Sequence, residues 1–204
     1  MDISAAQIKR LRDATGAGIL DCRSALQACQ GDFEKAVAFL REKGLGVAAK
    51  RAGRQTSNGV LDLYSHGEGR VGVMVEVNCE TDFVARTDGF RTFAHEIALQ
   101  IAAASPRWVV VEDVPAEVLG KERQEARQRA LDEGKPENVI ERIVEGRLEK
   151  FFDENCLLRQ TYIRDETKLV RELLQEIIAA TGENISIRRF ERWTVGEPID
   201  AETG

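Results

Sequence analysis

"RVGVMVEVNCETDFVAR", residues 70–86, alternates in character and then abruptly stops alternating. Val71, Val73, Val75 and Val77 stand two apart, so an extended chain places all four on one face, and that face must cover a core. The pattern breaks at Thr81-Asp82-Phe83-Val84, where an acid stands beside a large aromatic. Two readings fit this break. In one, Thr81 caps a short helix, the helix dipole favours Asp82 in the first turn, and Phe83 and Val84 anchor that turn to the core. In the other, Phe83 projects into a groove of a partner, where burying such a ring is worth roughly 1.5–3 kcal/mol. The neighbouring carboxylate would then compete for water or backbone donors near a bound cation.

Upstream, "GVLDLYSH" (59–66) is a second strand-like run. The intervening His66-Gly67-Glu68-Gly69 is a hairpin signal. Further upstream the period becomes helical. Ser4 followed by Gln7 is a capping-box pattern opening a first helix. "TGAG" (15–18) breaks it, and a second helix, "ILDCRSALQACQ", turns Cys22, Ala25, Leu26 and Cys29 to one side, with Gly31 closing it. Asp32 caps a third helix with Phe33, Val37 and Leu40 inward, and Gly44 is read as its end. Residues 1–43 thus form a small three-helix module. "GLGVAAKRAGRQTSNG" (44–59) is glycine-rich and basic, and reads as a linker, partly helical around Val47 to Lys50, whose Lys50, Arg51 and Arg54 are placed to steer an acidic partner.

Downstream, Asp88 is placed to cap a helix over 89–104 with Phe90, Phe93, Ala94, Ile97, Ala98 and Ile101 at helical spacing. "SPRWVVVEDVP" interrupts, with Trp108–Val111 extended. A charged helix follows over 116–133, and Pro136 opens another with a stripe of Ile140, Ile143, Val144, Leu148, Phe151 and Phe152. A last helix over 166–181 carries Leu169, Leu173, Leu174, Ile177 and Ile178 and ends at Gly182. "NISIRRFERW" (184–193) reads as a closing strand paired with the early hairpin. The order predicts an α+β fold: the three-helix module, the linker, and a core (60–195) in which a small antiparallel sheet packs on helices, with a loose tail at 196–204.

The chain of 204 residues has a net charge of −6, which argues against a direct nucleic-acid binder. The charge is uneven: residues 1–54 carry ten Lys/Arg and six Asp/Glu, a local +4, leaving −10 on the remainder. No apolar run reaches the ~18 residues of a membrane span, and the N-terminus lacks a signal-peptide apolar region. Cys22, Cys29, Cys79 and Cys156 form no C-x-x-C pair and fit a reduced, cytoplasmic protein. His66 and His95 are the only histidines. Neither a metal-ligand cluster, a nucleophile turn nor a phosphate-binding loop is present, so neither cofactor nor metal is expected. Binding is favoured over bond-making catalysis. One rival is a thiol enzyme using Cys79 with His95 or His66. Another is an adaptor that grasps helical or ubiquitin-like partners through residues 1–43.

"LRDATGAGILDCRSAL" (11–26), "LREKG" (40–44), "AAKRAGR" (48–54), "VEVNCETDFVAR" (75–86), "GRLEKFFDENCLLRQTYIRD" (146–165) and "ENISIRRF" (183–190), in this order, closely resemble bacterial elongation factor Ts over nearly the whole chain. The resemblance implies a guanine-nucleotide exchange factor that promotes GDP release from elongation factor Tu by displacing its magnesium ion and loosening phosphate contacts, without covalent chemistry. It implies that Thr81, Asp82, Phe83 and Val84 act at the magnesium. It also implies that the first three helices resemble ubiquitin-associated domains and dock on the GTPase domain, with Leu11, Arg12, Ile19 and Leu20 as contacts. The family often has methionines where Ile19-Leu20 stand here. His66 resembles a histidine that reaches the partner. The chain resembles the short members, which pair their cores, so a homodimer is implied. Its closing strand is the expected place for the pairing, because an open edge invites a mate. Glu191 stands where some short members have a cysteine, so no intersubunit disulfide is expected there.

Overall fold

A computed structural model describes residues 3–15, 17–51 and 53–198. The elements, in chain order, are α1 (Ala5–Thr15), α2 (Ile19–Ala28), α3 (Phe33–Arg51), β1 (Asn58–His66), β2 (Val71–Cys79), α4 (Asp82–Ala85), α5 (Asp88–Ala104), α6 (Ala116–Asp132), α7 (Glu137–Asn155), β3 (Thr161–Tyr162), β4 (Asp165–Leu169), α8 (Val170–Thr181) and β5 (Ile185–Thr194). The fold is α+β, as the element order predicted. Two compact units divide it, one of Met1–Ala98 with Arg171–Gly204, the other of Leu99–Val170.

The first three helices form where their caps and apolar stripes place them. Ser4 and Gln7 close the capping box reciprocally: the Gln7 amide N–H donates to Ser4 Oγ (3.2 Å) and the Ser4 N–H to Gln7 Oε1 (2.9 Å). Asp32 Oδ1 accepts from the Lys35 N–H at 3.1 Å and starts α3. Leu11, Cys22, Ala25, Leu26, Ala36 and Leu40 make the buried cluster, with Phe33 and Val37 packed against it.

Gly44 does not end α3, contrary to the sequence reading. The helix runs through it to Arg51. Gly44 is buried, and an added Cβ there would stand 3.3 Å from the Ala179 Cβ of α8. The glycine permits a close helix–helix approach, and that contact outweighs the modest helix penalty of glycine. Arg41 of α3 also pairs with Glu172 of α8. Of the basic side chains expected to face a partner, Lys50 is exposed, while Arg51 and Arg54 turn toward the chain itself. The Arg54 guanidinium lies 3.5 Å from Glu80, and Arg51 Nη1 lies 3.3 Å from where a Cβ on Gly182 would stand.

β1, β2 and β5 form one antiparallel sheet in the order β1-β2-β5, so the closing strand pairs with the hairpin as expected. His66 pairs with Val71 at the end of β1 rather than lying in the turn. Val73, Val75 and Val77 are buried on the inner face, together with Ile185 and Ile187 of β5. β1 meets α5 through His95, whose Nδ1 lies 3.1 Å from Asp62 Oδ2 and whose ring stands edge-on to Tyr64. Gly59 allows β1 to approach β2 closely: an added Cβ would fall 2.2 Å from the Val77 carbonyl oxygen. The β2–β5 register shifts between Glu76 and Val77, with Arg188 as the extra residue on β5. Thr87, not Asp88, caps α5, its hydroxyl accepting from the Phe90 N–H at 3.3 Å.

In the second unit, α6 and α7 pack through Ala126, Ala130, Ile140, Val144 and Leu148. The segment expected to extend at Trp108–Val111 makes a single parallel bridge from Trp108 to Cys156, and a 3-10 turn follows at Val111–Asp113. Residues 166–169, read from sequence as helical, belong to β4, which pairs with β3. A buried glutamine explains this: Gln100 donates to the Thr161 carbonyl (3.1 Å) and accepts from the Ile163 N–H (2.9 Å), and so holds the hairpin to α5.

Candidate functional site

The break in alternation becomes a sharp corner between β2 and α4. Thr81 is extended (φ −123°, ψ 156°), and its hydroxyl accepts from the Val84 N–H at 3.4 Å, so it caps α4. Asp82 lies in the first turn of α4, half-exposed, 2.9 Å from Arg86 one turn on. Ala85 is buried and seats the turn. Phe83 faces solvent, 79% exposed. Among the four residues Val84 is partly buried, so the turn is anchored by Val84 and Ala85 rather than by Phe83.

The corner is tied down by polar groups from the α8–β5 junction. Glu183 accepts from the backbone N–H groups of Glu80 (3.1 Å) and Thr81 (3.0 Å) and from the Thr81 hydroxyl (2.6 Å). Glu80 in return accepts from the Asn184 N–H at 2.6 Å. That bond, aided by the Arg54 and Arg51 charges against the opposing effect of desolvation, holds the Glu80 carboxyl below its ordinary range. Asn58 donates to the Glu80 carbonyl at 2.8 Å, and Asn184 donates to the Arg54 carbonyl at 2.8 Å. Sequence reading found Thr81 as a cap but missed Glu183 and Asn184, which lie about a hundred positions away.

The residues expected to dock on a GTPase separate into two groups. Arg12, Ile19 and Leu20 are exposed, Leu20 by 80%. Leu11, which stands three residues after Ile8 on the apolar stripe of α1 and which the resemblance made a docking contact, is fully buried in the three-helix core and presents no side chain to a partner. Gly16 of the "TGAG" turn lies outside the described residues. His66 is exposed at the far end of the sheet, its Nδ1 3.0 Å from the Tyr64 hydroxyl.

Cys79 is fully buried. Burial first, then the nearby Glu183 charge, push its thiol up to about 11, and the thiol donates to the Thr81 carbonyl at 3.1 Å. A neutral thiol so placed is a poor nucleophile. The histidines instead bond to Tyr64 and Asp62. Among the described residues no group of three His, Cys, Asp or Glu side chains is placed to hold a metal ion, and no helix is long and apolar enough to cross a membrane.

A family model described as elongation factor TS matches residues 19–197. The class is therefore that of translation elongation factors. Whole-chain relatives agree. An elongation factor Ts from Caldanaerobacter subterraneus subsp. tengcongensis is 61% identical over 198 residues, 97% of this chain and 99% of that protein. One from a Thermoanaerobacter species is 58% identical over 201 residues, 98% of each, and one from Moorella thermoacetica is 55% identical over 197 residues, 97% of each. The chain belongs to the elongation factor Ts family.

Proposed function

We propose that this protein is a guanine-nucleotide exchange factor for elongation factor Tu, working in the cytoplasm during translation elongation. The observation that supports it best is the exposed Phe83, raised on a capped single turn beside the carboxylate of Asp82. Exchange needs no bond to form or break. The factor must hold the nucleotide-free partner more tightly than the GDP-bound one, and GDP then weakens its grip by the same ratio. In this reading Phe83 wedges between elements of the GTPase that position magnesium, and Asp82 supports the displacement. With the metal dislodged, the phosphates of GDP lose their strongest counter-charge and leave.

The domain roles follow. Residues 1–43 dock on the GTPase domain through Arg12, Ile19 and Leu20, with Leu11 holding the module together from inside. Residues 44–59 connect that module to the core, their first part as a continuation of α3. Residues 60–195 present the probe, with His66 as a further contact, and the tail from 196 takes no part; residues 199–204 lie outside the described residues. No nucleic acid or membrane takes part.

The core pairs with a second copy at its closing strand. The outer face of the sheet carries Trp193 of β5, 76% exposed, beside Leu63 and Met74. Single exposed apolar residues are ordinary, but this group spans three strands: Leu63 pairs with Met74, and Trp193, opposite Gly72, lies diagonal to Met74. Sedimentation of the whole protein should give a dimer, and Trp193→Asp a monomer.

The decisive experiment is release of labelled GDP from purified elongation factor Tu. The expected result is rapid release with the wild-type chain and slow release with Phe83→Ala. Release no faster with the protein than without it would end the reading.

A further inference from the structure

The geometry points to Glu183 as a positioning residue of the exchange reaction, one that sets the aim of Phe83 and Asp82 through the hydroxyl of Thr81. This rests on the exchange reading above. α4 has four residues, far fewer than an isolated helix needs to persist in water. Phe83, exposed as it is, adds little to holding its own turn. Val84 and Ala85 seat the turn by packing, and the polar tie that fixes its cap from outside the turn comes from Glu183.

Three donors converge on its carboxylate, two of them backbone N–H groups and the third the Thr81 hydroxyl. With its O–H donated to Glu183, that hydroxyl turns its lone pairs toward the Val84 N–H. The cap is thus a relay: Glu183 fixes the orientation of the hydroxyl, and the hydroxyl fixes the turn that carries Phe83. Only a group with no donor of its own satisfies all three partners. An amide at position 183 must point its NH2 at a backbone N–H or at the threonine oxygen. In the second case the hydroxyl accepts from the amide, its own proton loses the Glu183 acceptor, and the oxygen is no longer oriented toward the Val84 N–H. Orienting the probe before contact spares the complex the entropy of ordering it during the reaction.

The test uses the full chain and follows GDP release from elongation factor Tu against factor concentration, with Phe83→Ala as the reference. Glu183→Gln should lower the maximal stimulated rate about tenfold, the size expected for loss of a charge-assisted bond, while the half-saturating concentration changes by less than about twofold. Thr81→Val should give the same loss, Thr81→Ser should recover most of it, and the Glu183→Gln/Thr81→Val pair should be no slower than either single change. A merely stabilising glutamate would not produce this split or this lack of additivity. If Glu183→Gln does not fold, the Val and Ser substitutions at Thr81 carry the test alone. The proposal fails by itself if Phe83→Ala is slow while Glu183→Gln keeps the wild-type maximal rate, if the two losses multiply, or if Thr81→Val matches the wild type. Should Phe83→Ala match the wild type, the wedge reading falls and takes this proposal with it.

Discussion

Phe83 and Leu20 are exposed to nearly the same extent, 79% and 80%, yet they are supported in opposite ways. Leu20 sits in the first turn of α2, whose N-cap, Gly18, offers no side-chain bond. What steadies that tip is close in sequence: the Thr15 hydroxyl on the Leu11 carbonyl (2.7 Å) and the Cys22 N–H on the Gly18 carbonyl (2.9 Å), with the Lys43–Asp21 ion pair as a longer tie. Phe83 is held by Glu183 and Asn184, across the sheet and over a hundred residues away. A tip supported locally can yield to a partner and still fold. A corner supported from a distance keeps its aim only while the whole sheet is intact. The contrast suits an adhesive contact at Leu20 and an aimed one at Phe83.

Substitutions can break that contrast, and the largest effect is expected from Phe83→Ala. Removing the ring forfeits roughly 1.5–3 kcal/mol of burial in the complex, so maximal stimulated GDP release should fall about 10- to 100-fold in a stopped-flow assay. Binding of the nucleotide-free partner through the module should change far less. Leu20→Ala should do the reverse: a half-saturating concentration raised about five- to tenfold, an unchanged maximal rate, and an unchanged melting temperature because the side chain is already exposed.

Acidification separates the two regions next. The folded-state pKa of Glu80 is depressed, chiefly by the Asn184 N–H. Its stabilising contribution is therefore fully present above the ordinary carboxyl pKa of 4.5 and is lost as pH falls through the lower folded value. Urea titrations should show Glu80→Gln less stable than the wild type at neutral pH, with the gap closing below about pH 4.5. The bonds that steady the Leu20 tip do not include Glu80, so the half-saturating concentration set by Leu20 should not change with this substitution. The smallest effect is expected from Arg86→Ala. Its ion pair with Asp82 is between largely exposed side chains, so exchange should slow by less than about twofold, a difference that added salt should erase.

Much of this was legible in the sequence because its determinants are local. The alternating valines, the Ser4–Gln7 box, the cap at Thr81 and the stripe from Ile140 to Leu148 each follow from spacings within one or two turns. The misreadings share a cause, a distant partner. Gly44 looks like a helix stop until Ala179 is placed against it. "DETKL" carries too few apolar residues to look like a strand, and it takes that form in a hairpin that buried Gln100 secures. Leu11 occupies the core that its helical spacing with Ile8 implies, and only its docking role, implied by the resemblance, does not fit that place. At the candidate site, Phe83 and Asp82 stood out as an odd pair, but no pattern near them announces Glu183.

The missing side chain at Gly44 has a mechanical meaning. It lets α3 lie against α8, and α8 leads directly into Gly182 and Glu183. Two helices seated this closely act as a strut with little slack, so a pull on the far end of α3 by anything gripping the first helices would be felt at the carboxylate that aims Phe83.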